Sequence, residues 1–334
     1  MLKKVFVKGL IAAAVMGASV TAMAEDCGDV SIVEMSWPSA EFAANLDKLI
    51  LEEAFGCNVT LVPGAAITSL ASMEAKGRPH IAPEFWANAV INQLRKAEDA
   101  GKVEITTKLI PDAYEGWYVS EFVANNHPEL NTVDDVLKRK DLFPSKEDPS
   151  KGAFVNCPSG WSCQVLNDGL IKPSAYNLEG NGFVSVDPGS GAGLDGTIAK
   201  SYDRNEAWFG YYWQPSAVIS KYELKKLDFV DGYEQDNWDN CVSDPECDTP
   251  KRSRFPASDV FTVVASEFSK ENPTVVEYLK KRAYNSDQVG KVLVYMLDNQ
   301  ADGETGAIEF LKTQEDVWTQ WLSPEDVAKV KGAI

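Results

Sequence analysis

Histidine is almost missing from this 334-residue chain, which carries only His80 and His127. A secreted hydrolase that activates a nucleophile with an imidazole has little to build on, since neither histidine has a nucleophile beside it in the sequence. Positive charge is also scarce: 32 Lys and Arg stand against 50 Asp and Glu, a net charge of −18, which argues against nucleic acid or anionic lipid as a partner. There is no CxxC pair and no histidine close to a cysteine, so the usual zinc-ligand sets are missing. Beyond residue 20 no long apolar run recurs, and nothing there predicts a membrane-spanning helix.

The N-terminus does have a pattern. Lys3, Lys4 and Lys8 lead into an apolar run over 9–20 and then Ala22-Met23-Ala24, the order of a secretory signal peptide cut after Ala24. The run is well short of the roughly 20 apolar residues of a spanning helix. A lipoprotein anchor needs its cysteine at the cut, whereas Cys27 lies behind Glu25 and Asp26. The expectation is an exported chain, free in a periplasm, of 310 residues and net charge −21. That length is past the size at which single hydrophobic cores stop growing, so two lobes are expected. Six cysteines in an oxidising compartment predict three disulfides. Spacing favours Cys157–Cys163 and Cys241–Cys247, which leaves Cys27–Cys57, each just ahead of a strand-like run.

Along the chain, apolar residues 30–35 read as a strand, followed by a loop with Trp37 and a helix carrying Phe42, Leu46, Leu49, Ile50 and Ala54 at helical spacing. A strand over 59–62, a helix over 68–76 and a strand over 80–85 follow, the last leading into Trp86. The alternation continues with a helix over 89–100, a strand over 103–110 and an extended stretch over 115–124, expected to be the first crossing between lobes. A second series runs through a helix over 133–138, a strand over 153–155, a helix after Trp161, a strand over 183–186, a helix over 194–203 and a strand over 207–213. The return crossing is expected near 225–230. Residues 231–254 read as a surface loop pinned by its disulfide, and two or three amphipathic helices are expected after Pro273. The fold class is α/β, with two lobes built on mostly parallel sheets, residues 25–116 with 225–334 forming one and 117–224 the other. Ligands of such sheets bind beyond the carboxyl ends of the strands, here in a cleft between lobes.

Nine tryptophans are present, and Trp37, Trp86, Trp161 and Trp213 fall at loop mouths or strand ends rather than inside elements. Tryptophan faces bind a quaternary ammonium without a counter-charge, because the π face is negative and the cation has no proton to donate. Trp117 is the candidate for a further wall, Glu84 for a contact to the cation or a hydroxyl, and Trp208, Trp238, Trp318 and Trp321 are assigned to packing. The segment Asn156-Cys157-Pro158-Ser159-Gly160-Trp161-Ser162-Cys163-Gln164 is the most specific in the chain. Its disulfide fixes a turn ahead of a helix, whose first amides at Ser162 and Cys163 suit a carboxylate. A disulfide-bonded Cys163 is no nucleophile. Gly191-Ala192-Gly193-Leu194-Asp195-Gly196 matches the GxGxxG pattern formally, but so far along an exported chain it reads as a helix start bordering the cleft, and no cofactor is expected. A sugar site needs many polar side chains beside its aromatics, and these segments offer a backbone turn instead.

These residues resemble the glycine betaine and proline betaine binding proteins of ABC importers, over essentially the whole mature chain. CPSGWSC is similar to that family's C-x-P-G-W-G-C turn, and YYWQP to its YY-x-W-x-P strand end. The resemblance implies Trp86, Trp161 and Trp213 as cage walls, backbone donors at Ser162 and Cys163, an ABC permease as partner, and a monomer. Trp37 is more similar to the cage position of choline-binding members. Glycine betaine, proline betaine, dimethylsulfoniopropionate, choline and carnitine remain open as ligands, with the carboxylate-binding turn favouring a betaine.

Overall fold

The computed structural model describes residues 27–334; the signal-peptide expectation on 1–24 lies outside them. No helix of the described residues is long and apolar enough to cross a membrane. Two five-stranded sheets organise the chain. The first has the order β2-β1-β3-β10-β4, from β1 (Asp29–Met35), β2 (Asn58–Gly64), β3 (Ile81–Trp86), β4 (Val103–Lys108) and β10 (Val260–Ala265). The second has the order β7-β6-β8-β5-β9, from β5 (Tyr114–Ser120), β6 (Gly152–Val155), β7 (Phe183–Val186), β8 (Phe209–Gln214) and β9 (Leu224–Lys226). In each sheet one strand runs against its neighbours: β10 is antiparallel to β3 and β4, and β5 to β8 and β9. Both are the first strands laid down as the chain arrives from the other sheet, so they start at the cleft, where the remaining strands end.

The first sheet is built from alternating units. β1 is followed by α1 (Pro38–Phe55), which starts with proline at its first turn and stops at Gly56 in the left-handed region, and its Phe42, Leu46, Ile50 and Ala54 are buried. β2 pairs in parallel with β1 from Asp29 opposite Asn58 to Met35 opposite Gly64. Cys27 and Cys57 sit just ahead of that ladder and are bonded, with Cα atoms 4.9 Å apart. α2 (Ala66–Lys76) and α3 (Ile91–Asp99) complete this half.

Around the second sheet lie α4 (Glu121–Asn126), α5 (Val133–Leu137), α6 (Ser162–Leu170), α7 (Gly191–Arg204) and α8 (Ala217–Lys221). The segment expected to cross between lobes, 115–124, is instead β5 and α4. Passage between the sheets occurs at 109–113 and again over 227–259. The two passages touch, Leu109 N–H donating to the Val260 carbonyl and Ser258 N–H to that of Ala113. The second sheet therefore takes in Tyr114, Glu115 and Gly116, which a division at 116/117 assigns to the first lobe, and Lys225 and Lys226 with them. The segment expected to be a surface loop, 231–254, holds α9 (Gln235–Asn237) and buries Trp238, whose indole donates to the Asn88 carbonyl. Cys241 and Cys247 are bonded within it.

After β10 come α10 (Ser266–Glu271), α11 (Pro273–Lys281), α12 (Ser286–Asn299), α13 (Gly303–Thr313), α14 (Glu315–Trp318) and α15 (Pro324–Ala333), so five helices rather than two or three follow Pro273. Capping chemistry cuts the run: Asn285 forms a capping box with Gln288, Gln300 takes the left-handed conformation, and Asp302 and Ser323 cap the next starts. α13 and α15 pack on α1.

Candidate functional site

Four tryptophans meet at the carboxyl ends of strands from both sheets. Trp37 follows β1 and Trp86 ends β3 on one side; Trp161 precedes α6 and Trp213 lies at the end of β8 on the other. They line one pocket together with Ala65, Ala66, Asn88, Ala89, Glu115, Ser162, Cys163, Leu166 and Tyr211. Trp37 and Trp161 meet edge to face at 5.1 Å between ring centroids, and Trp161 and Trp213 at 5.5 Å. These are ring-on-ring distances. The first of these pairs joins rings carried by different sheets, the second rings carried by the same one.

The turn before α6 is held from several sides. Cys157 and Cys163 are bonded, with Cα atoms 5.9 Å apart. The Asn156 amide donates to Asp168 and Ser185, Ser159 to Asp187, and Gly160 N–H to the Gln164 side chain. Gly160 has φ +88°, open to glycine at no steric cost. Trp161 N-caps the helix in extended conformation, so the Ser162 and Cys163 amides belong to its unpaired first turn, on the pocket wall. α7 starts at Gly191, where an added Cβ would stand 2.9 Å from the Trp161 ring. The glycine-rich segment thus lets a helix start press on the cage.

Glu84 does not line the pocket. It lies behind Trp37 and Trp86, 1% exposed, and its Oε1 accepts from both indoles, at 2.6 and 2.9 Å, and from the Ser39 hydroxyl at 2.8 Å. Burial pushes its carboxyl above the ordinary value while these donors pull it back. Trp117 lines no part of the pocket either. It is fully buried, donates to Asn167 and packs against Phe154, Tyr176, Phe209 and Phe229. The reason is strand direction: β5 starts at the cleft, so its second residue, Glu115, reaches the pocket, and Trp117 lies two residues deeper, about 7 Å along the strand. Trp208, Trp238, Trp318 and Trp321 are all buried.

Glu115, Asn88 and Tyr211 are the polar pocket residues that sequence reasoning left out, and Ala65, Ala66, Ala89 and Leu166 the apolar ones. Glu115 is buried and accepts from the Tyr211 hydroxyl at 3.1 Å. Burial pushes it up to about 7, against Tyr211, the Lys226 charge and Ser258. The signal was there, an acidic residue in an otherwise apolar and aromatic strand. Asn88 accepts from the Asp259 amide at 2.9 Å, tying the pocket wall to the second passage between sheets. Neither histidine lines the pocket; His80 bonds Ser31 and stacks on Phe268.

A family model described as the substrate binding domain of ABC-type glycine betaine transport systems matches residues 28–313. Among solved structures, an ABC-transporter choline binding protein in complex with choline is similar at a TM-score of 0.72 and 16% identity, over 92% of this chain and 98% of that one. A glycine/betaine/L-proline-binding protein from Borrelia burgdorferi gives 0.70 and 15%, over 90% and 99%. Lactococcal OpuAC, closed on glycine betaine, gives 0.66 and 18%, over 89% and 100%.

Proposed function

The chain belongs to the family of substrate-binding domains of ABC-type glycine betaine transport systems, and from that premise we propose that it captures a small methylated zwitterion between its lobes. Glycine betaine, proline betaine and dimethylsulfoniopropionate are the ligands in view, delivered from the periplasm to an ABC permease by a monomeric receptor. One observation carries the reading: four tryptophans and the first amides of α6 line a single pocket at the strand ends of both sheets. The rings take the cation, each desolvated contact contributing about 2 kcal/mol. The Ser162 and Cys163 amides take the carboxylate. Three or four such contacts are enough for micromolar binding, about −8 kcal/mol, after the cost of association.

Glu115 favours a second reading, choline, and also separates the two. Ionised, it attracts a ligand of net positive charge and accepts from a hydroxyl; protonated, it donates to a carboxylate. With this carboxyl near 7, betaine affinity rises as pH falls through about 7 and choline affinity falls. Calorimetric titration with glycine betaine, dimethylsulfoniopropionate, choline, carnitine and a sugar panel, on either side of neutrality, tests this. Trp161→Ala and Trp213→Ala are each expected to weaken betaine binding by about 30-fold, the loss of one desolvated wall. Binding of sugars alone, or an unchanged betaine affinity in both variants, overturns the cage.

A further inference from the structure

Glu84 makes three hydrogen bonds through one oxygen, and two of them fix the cage walls of the first sheet. Two indole N–H groups converging on a single atom leave the two rings few ways to differ in their mutual orientation. The carboxylate also changes the rings themselves: a negative charge accepting from an indole N–H pushes electron density into the π system, which deepens the potential a cation meets on its face. Behind Glu84 lies a second buried group. Arg282 is fully buried, pairs with Asp47 at 2.8 Å and donates to the Thr262 hydroxyl, which in turn donates to the carbonyl of Pro83, the residue before Glu84. A buried carboxylate with one oxygen lacking a partner is costly, and three donors converging on the other oxygen offset part of that cost.

Resting on the betaine-receptor reading, we propose that Glu84 is a positioning residue: it never touches the ligand, sets the angle between Trp37 and Trp86, and makes their faces better cation acceptors. The cage is thus charged from behind, where the ligand's own carboxylate does not meet the charge.

Glu84→Gln keeps the shape and one acceptor oxygen and removes the charge. The test compares this variant with the wild type by the indole N–H proton resonances of the ligand-free protein, and by titration with glycine betaine and choline. The Trp37 and Trp86 resonances are expected to move upfield and those of Trp161 and Trp213 to stay, at a Tm close to wild type. Affinity for both probes is expected to fall about tenfold, equivalent to about 1.4 kcal/mol. Because both ligands carry the same cationic head, a loss for one alone contradicts a role in tuning the rings. Unmoved Trp37 and Trp86 resonances, or a folded variant binding both probes as the wild type does, overturn the proposal. A wild type that binds neither probe overturns the receptor reading, and the resonances still decide whether Glu84 holds the two indoles.

Discussion

Single residues in this protein divide between those that would meet a ligand and those that hold them still. Trp37, Trp86, Trp161 and Trp213 line the pocket, while Glu84 stands behind the first two. Glu115 does both, lining the pocket and bonded to Tyr211. Its carboxyl lies at about 7 in the fold against an ordinary 4.5, because burial penalises the charge. The folded state therefore keeps a proton that the unfolded chain has released, so its stabilisation is complete below about pH 4.5 and lost as pH rises through about 7, by at most about 3 kcal/mol. Asp195, half-buried with a bond from Tyr212 and pushed up to about 6 by desolvation, acts in the same direction. Thermal unfolding should show a Tm that falls between about pH 5 and pH 8, and falls less in Glu115→Gln; equal slopes in both proteins count against this assignment. The tryptophans of the cage were legible from their positions at strand ends. Glu115 was not, because which end of a strand faces the cleft depends on the direction of its neighbours.

At the scale of elements, the two disulfides of opposite halves have separable jobs. Cys157–Cys163 closes a span of 6 residues and holds the turn that aims the first amides of α6; Cys27–Cys57 closes a span of 30 and ties β1 to β2, away from the pocket. In the chain-entropy picture the short loop stabilises by about 2 kcal/mol and the long one by about 3–4 kcal/mol. Replacing both cysteines of the short pair by serine should therefore lower the Tm modestly and betaine affinity clearly. The same change in the long pair should lower the Tm more and leave affinity near wild type. If titration and thermal unfolding rank the two variants the same way, the turn is not a separate functional element. Helices and strands themselves were readable from periodicity and caps: the strand expected over 183–186 is β7, and the helix expected after Trp161 is α6. The C-terminal run was undercounted because its breaks come from capping residues, Asn285, Asp302 and Ser323, which leave the apolar period largely intact.

The whole molecule is two α/β lobes with a paired passage between them, and the proposed function depends on that arrangement. Trp37 and Trp86 ride on the first sheet, Trp161 and Trp213 on the second, so a ligand gripped by all four favours the closed form over any open one. Small-angle scattering with saturating glycine betaine should show a smaller radius of gyration than without it, and a profile unchanged by a ligand that calorimetry shows to be bound would rule out hinge closure. Periodicity, spacing and residue chemistry are local properties, so the class of fold, the favoured disulfide pairs and the cluster of loop-mouth tryptophans could be read along the chain. Strand pairing in the fold sets β5 and β10 against their sheets, makes Trp117 core while Glu115 reaches the pocket, and puts Glu84 behind the indoles. Each of those turns on which strand lies beside which, and in what direction, a relation between residues up to about 180 positions apart in the chain, such as Phe85 and Phe261, that no local pattern encodes.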